Sequence, residues 1–249
     1  MWRATSKNFV AQASRLPQLE AERQSFAFML IKLICDGVPV MYFDETSFQL
    51  EMTMRRAFYP RQNKLVLPIP RGQRRGFSLY GCIGSCVRGG AYFEVHDSSN
   101  KEDFMAFMRN LEGQLIQPEL PVTRRKRPVL VLDNLAAHKG ADRLLIMERF
   151  AQVQFIPAYS CQLQGPIEAV WSLVKRRVRP KFTELQLRDQ CTRARCIELV
   201  QQTLEEVEVA TFANLLRVHY RYLVRTFQQV QDELSSCFSS PSKKKKSQL

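Results

Sequence analysis

Apolar positions in this chain follow two rhythms, and the switches between them mark out the elements. Leu16 to Cys35 repeats at helical spacing, with Phe26, Leu30, Leu33 and Ile34 on one side, and Gly37 supplies a stop. Pro39 to Phe48 (PVMYFDETSF) is a mainly apolar, aromatic-rich run, the pattern of a buried strand. Arg55 to Gly76 is basic, punctuated by proline and without period. Ser78 to Val87 and Ala91 to His96 read as two strands, with a hairpin turn at Arg88-Gly89-Gly90. Asn100 caps a helix running to Ile116, whose inner face is Phe104, Phe107, Met108, Leu111 and Leu115. Pro128 to Leu132 predicts a short strand, Lys139 to Ala151 a helix, and Val153 to Ile156 another strand closed by Pro157. Pro166 opens a helix with the stripe Ile167, Val170, Trp171, Val174 and Val178, and two more helices follow near Glu184–Val207 and Thr211–Leu234. An early meander followed by alternating strands and helices is mixed α/β, read as one compact unit without internal repeats.

Composition narrows the class. The 249 residues are 45% hydrophobic and 10% aromatic, which excludes a chain disordered throughout. The start lacks the apolar core of a secretory signal. The best apolar run, Phe26 to Cys35, is broken by Lys32 and too short to span a bilayer. Seven cysteines, an odd number with no CxxC pair, indicate reduced thiols inside a cell. Cys82 and Cys86, four apart, are expected on one face of their strand as packing residues.

Charge points to a partner. The net charge is +13, and two blocks carry it: residues 54–80 hold seven bases and no acids, and residues 121–181 hold twelve bases and four acids. Clustered bases on a folded chain suit nucleic acid or another polyanion. The plainer reading is a solvated basic face. Arg71, Arg74 and Arg75, with Lys175 and Arg176, are candidate contacts to a DNA backbone, which give affinity without sequence choice. The runs Thr123–Arg127 and Lys243–Lys246 resemble nuclear-import signals or phosphate patches. The Ser/Lys-rich end is expected to be a disordered basic tail.

Three acids sit in unusual places. Asp44 interrupts an apolar strand, where a carboxylate is costly unless compensated. Asp133 ends the strand Pro128–Leu132, and α/β folds build sites at the carboxyl ends of strands. Glu168 lies at the start of an amphipathic helix, at the edge of its apolar stripe. Three hard oxygen donors on converging elements suit Mg²⁺ or Mn²⁺, and two such ions serve phosphoryl transfer. Each acid also has a plainer reading: a satisfied structural carboxylate, a turn or cap residue, and a first-turn acid favoured by the helix dipole. Glu45 points to the opposite strand face and takes no metal role. His96 and His219 read as packing or surface residues, and Trp171 as core.

The segments MYFDETSF, VLVLDNLAAH and FIPAYSCQLQGPIEAVWSLVKRR, in this order, resemble the three signature blocks of the mariner-type (Tc/mariner superfamily) DDE transposases. Asp44 matches the acid of the first block. Asp133, Asn134 and His138 match the second, and Glu168, Trp171 and Lys175 match the third. The 34 residues between Asp133 and Glu168 fit one branch of that family. The chain departs at Cys161, where the family has proline, and at Leu163-Gln164-Gly165-Pro166, which is one residue longer than the family's Leu-Asn-Pro.

The resemblance covers roughly Phe26 to Lys181 and implies an RNase H-like fold: a central mixed five-stranded sheet flanked by helices, with extra C-terminal helices. The expected organisation is an N-terminal linker and helix (1–37), the catalytic domain (38–181), a helical extension (182–236) and the basic tail (237–249). It implies metal-dependent DNA strand cleavage and strand transfer, with Asp44, Asp133 and Glu168 holding two divalent ions, Mg²⁺ or Mn²⁺. Asn134 and His138 would support them from behind. Double-stranded DNA, as transposon ends and target, is the expected partner, in a nucleus if the host is eukaryotic. A homodimer is left open, and no membrane is involved. Some forty residues precede Asp44, fewer than the family's DNA-reading region needs, so a separate reading domain or protein is expected. The alternative is a transposase-derived DNA-binding protein that has lost catalysis.

Overall fold

The computed structural model describes residues 16–50, 76–116, 127–133, 150–158, 160–188 and 190–239. The expected helix Lys139–Ala151 lies mostly outside them, as do Arg71, Arg74, Arg75, Asn134, His138 and Tyr159. Helix α1 (Leu16–Cys35) ends where expected. Gly37 adopts φ +67°, and the Gly37 and Val38 amides donate back to the Ile34 and Leu33 carbonyls at 3.0 and 2.9 Å. That left-handed turn is what glycine permits at a helix end.

Strand β1 (Val40–Phe48) is the centre of the sheet. It pairs antiparallel with β2 (Phe77–Gly84), which pairs antiparallel with β3 (Ala91–His96). On its other side β1 pairs parallel with β4 (Val129–Leu132), and β4 pairs parallel with β5 (Gln152–Phe155). The order is β3-β2-β1-β4-β5. Strand β2 is shorter than its apolar pattern suggested, because the chain turns after Gly84 and only Val87 pairs again, with Leu115. Cys82 and Cys86 still pack into the same core.

Side-chain alternation along β1 sorts the molecule into layers. Met41 and Phe43 face α2 (Lys101–Glu112) and join Tyr80, Leu130, Leu132, Phe104 and Phe107 in one core. Asn100 caps α2, its side-chain oxygen accepting from the Asp103 amide at 2.7 Å. Tyr42 and Phe48 face the other way, into a larger core built with α1, α3 (Gly165–Leu187), α4 (Arg193–Glu205) and α5 (Val209–Ser239). Helices thus cover both faces of a mixed sheet.

The C-terminal boundaries differ from the sequence pattern. Residues 184–187 belong to α3, which runs on across Pro180, whose side chain is exposed. The break comes at 188–192, and Thr192 caps α4 by accepting from the Arg195 amide. Helix α5 continues to Ser239.

Candidate active site

Register brings the first two acids together. Val40, Met41 and Tyr42 pair with Val129, Leu130 and Val131. Two further residues along each strand lead to Asp44 and Asp133. Adjacent strands lie about 4.8 Å apart, and residues in register share a face. That face is the one covered by α3, since Tyr42 and Val131 both belong to its core.

Helix α3 lies along β1 and supplies the third acid. Pro166 stands in its first turn, where a missing N–H costs nothing, and Glu168 follows in the same turn, exposed to solvent. Ile167, Val170, Trp171, Val174 and Val178 are buried against the sheet. The Trp171 indole Nε1 donates to Asp44 Oδ2 at 2.8 Å. Lys175 Nζ donates to Thr46 Oγ1 and lies 5.6 Å from the centre of the Phe48 ring. Farther along, Gln186 Nε2 donates to the Leu50 carbonyl at 2.6 Å. Helix donors meet strand acceptors along most of the contact, so α3 is stitched to the strand that bears Asp44.

Electrostatics identify the cluster. Burial pushes the Asp44 carboxyl up to about 7, the Trp171 hydrogen bond opposes this, and the charges of Glu168, Glu45 and Asp133 raise it further. Glu168 and Asp133 are therefore near enough to repel Asp44. Burial and Arg179 hold the Lys175 ammonium below its ordinary range, while Glu168 and Asp44 pull it back up. Lys175 is thus half-buried beside the acids rather than waving at a helix end. Arg176 is exposed. Glu45 faces away from α3, as expected, and accepts from Ser99 Oγ at 3.2 Å. Among the described residues, no three His, Cys, Asp or Glu side chains already stand close enough to hold an ion.

Three features escaped the sequence pattern. Trp171 is core, as its stripe predicted, but its N–H serves the buried acid. Gly81 is opposite Asp44 in the β1–β2 register, and a Cβ there would stand 2.5 Å from Trp171 Cη2. Its lack of a side chain makes the slot for the indole; a glycine inside an apolar strand is the signal that marked such a close approach. The third is the contact made by the longer loop. That loop forms a 3₁₀ turn (Cys161–Gln164) whose Gln164 amide donates to the Phe43 carbonyl, next to Asp44.

The two histidines among the described residues, His96 and His219, are structural. His96 lies between Glu94 (3.0 Å) and Asp103 (3.4 Å) on the α2 side. His219 is buried on α5 against Gly165 and makes an edge-on contact with Tyr42 at 5.0 Å. Burial lowers its pKa to about 4, so it is neutral at pH 7.

A five-stranded mixed sheet covered by helices, with one acid inside its central strand, one at the end of the neighbouring strand and one at the start of a crossing helix, defines the RNase H-like fold. The family model for DDE superfamily endonucleases matches residues 39–190, and the chain belongs to that family. Its fold is that of the Mos1 transposase. The Mos1 paired-end complex with left transposon end matches at TM-score 0.60 and 11% identity over 85% of this chain and 62% of that one. The Mos1 strand transfer complex matches at 0.56 and 14% identity, over 85% and 61%. The Mos1 catalytic domain with Raltegravir and Mg matches at 0.56 and 12% identity, covering 85% of this chain and 94% of that domain. The chain thus spans about three fifths of the two complexed Mos1 chains. No curated protein sequence matches it.

Proposed function

We propose that this chain is the catalytic domain of a mariner-type transposase, cutting DNA and joining the freed end to a target with Asp44, Asp133 and Glu168 as its metal ligands. The observation that carries this reading is the strained state of Asp44. A buried carboxylate pressed by the charges of Glu168, Glu45 and Asp133 has its pKa raised to about 7, chiefly by desolvation and against the opposing Trp171 hydrogen bond. A divalent cation relieves both terms, and three hard oxygen donors are what Mg²⁺ or Mn²⁺ prefers. Two ions bound there would supply Lewis-acid activation of the attacking oxygen and stabilisation of the leaving one.

The chain's own residues divide the remaining work. Trp171 fixes the Asp44 carboxylate by its single N–H and excludes water from the sheet side. Lys175, tied to Thr46, offsets part of the acids' charge without competing as a ligand. Arg176 and Arg177, exposed on α3, face the phosphate backbone, and the basic stretch of sequence with Arg71, Arg74 and Arg75 supplies further candidate contacts. The likeness to the Mos1 transposase paired-end complex with transposon end, and to the Mos1 transposase catalytic domain with Mg, supports the same assignment. So does the order of the three motifs.

The test is cleavage of a labelled DNA duplex in Mn²⁺ by the wild type and by Asp133→Ala. The wild type yields nicked or cut products and the variant none. Identical product patterns would remove catalysis from this site and favour a DNA-binding descendant.

A further inference from the structure

The loop in which this chain departs from the mariner pattern is built into the site, and its placement gives it work. Strand β4 stops at Leu132, while β1 runs on to Phe48. Beyond that point β1 has no described strand on its β4 side, and this is where Asp44 stands. The Gln164 side chain reaches into this gap from the 3₁₀ turn and donates to the Phe43 carbonyl, a buried hydrogen bond across 121 residues of sequence.

The turn itself is anchored from three sides. Ser160, buried at its start, accepts from Arg23 Nε of α1 at 2.9 Å and donates to the Ala158 carbonyl at 2.9 Å. Leu163 is buried in the larger core. Gly165 lies against His219 of α5 so closely that a Cβ would come within 2.9 Å of the imidazole Nδ1. Cys161–Gly165 is therefore a clasp between α1, α5 and β1, with Gln164 bonding it to the acid-bearing strand.

We infer that Gln164 is a positioning residue: its amide holds the peptide beside Asp44, so that the carboxylate keeps the orientation a divalent ion requires. The extra residue in the loop is what lets Gln164 reach Phe43 while Pro166 still starts α3 on time. This rests on the metal-site reading of Asp44, Asp133 and Glu168. Groups that orient a ligand from behind typically change metal affinity by about 10- to 100-fold when removed.

The experiment is Mn²⁺ titration by calorimetry, without DNA, on the full chain and on Gln164→Met, which keeps length and burial but cannot donate. The variant is expected to bind Mn²⁺ about tenfold more weakly. Its cleavage should need correspondingly more Mn²⁺ for half-maximal rate, while its affinity for duplex DNA in Ca²⁺ stays that of the wild type. Gly165→Ala, which shifts the clasp from the His219 side without touching the amide, serves if Gln164→Met does not fold, and is expected to weaken Mn²⁺ in the same direction. Wild-type Mn²⁺ affinity in a folded Gln164→Met, even with a lower melting temperature, would show that the bond only stabilises the fold and would overturn the inference. If the wild type itself takes up no Mn²⁺, the metal-site reading fails and Gln164's role falls with it. Those two failures are told apart by the wild-type titration alone.

Discussion

Asp44 is stabilised least by the fold that holds it, and this makes it the most informative single residue. Burial raises its carboxyl pKa to about 7, against an ordinary 3.8. Between those values the folded state keeps a proton that the unfolded state has lost. The contribution to stability is full below about pH 4 and is lost as pH rises through 7. Asp44→Asn should therefore melt several degrees above the wild type at pH 8, match it near pH 4, and cut no DNA. A variant that melts at or below the wild type at pH 8 would mean that Asp44 is already compensated without metal. The acid itself was legible in the sequence, because a charged residue inside MYFDETSF demands an explanation. Its partner was not. The apolar stripe fixes where Trp171 points but says nothing of what its N–H meets, and buried indoles need such a partner. Gly81, which makes room for that indole, gave the only local hint.

At the scale of elements, the site depends on how α3 is seated. Its start is backed by α5 through the His219–Gly165 contact, and its length is bonded to β1 through Trp171, Lys175 and Gln186. Burial lowers the His219 pKa to about 4 in the folded chain, against an ordinary 6.5. The unfolded chain thus takes up a proton first as pH falls, so this contribution is full above 6.5 and is lost on the way down to 4. Its sign is opposite to that of Asp44. Chemical denaturation at pH 7 and pH 4.5 should show the stability gap between wild type and His219→Phe narrowing, or reversing in favour of the variant, at the lower pH. A gap that is the same at both values would place His219 in a solvated or ion-paired setting. The strands and α1 to α3 were legible from periodicity, caps and Gly37. The C-terminal helix boundaries were not: the pattern opens a new helix near Glu184, whereas residues 184–187 belong to α3, which runs on through Pro180. Its exposed place on α3 tolerates the lost N–H, and the real break follows Leu187. The 3₁₀ clasp was invisible for another reason: its logic lies in contacts with α1, α5 and β1, all far away in sequence.

For the whole molecule, the net charge is +13, and one of the two basic blocks of the sequence contains Asp133 and Glu168. Among the described residues no helix is long and apolar enough to cross a membrane. Duplex binding should follow counterion release, with affinity falling about a thousandfold or more between 50 and 200 mM salt if about six phosphates are contacted. Arg176→Gln with Arg177→Gln should flatten the plot of log affinity against log salt by roughly two. An unchanged slope would move the DNA path off α3. The central claim is narrower: acids from β1, β4 and α3 form one divalent site. Calorimetric Mn²⁺ titration of the wild type beside Asp44→Asn, Asp133→Asn and Glu168→Gln tests it directly. The account predicts saturable binding by the wild type and severe loss in each of the three variants. Any one of them that folds and retains wild-type Mn²⁺ affinity would contradict it.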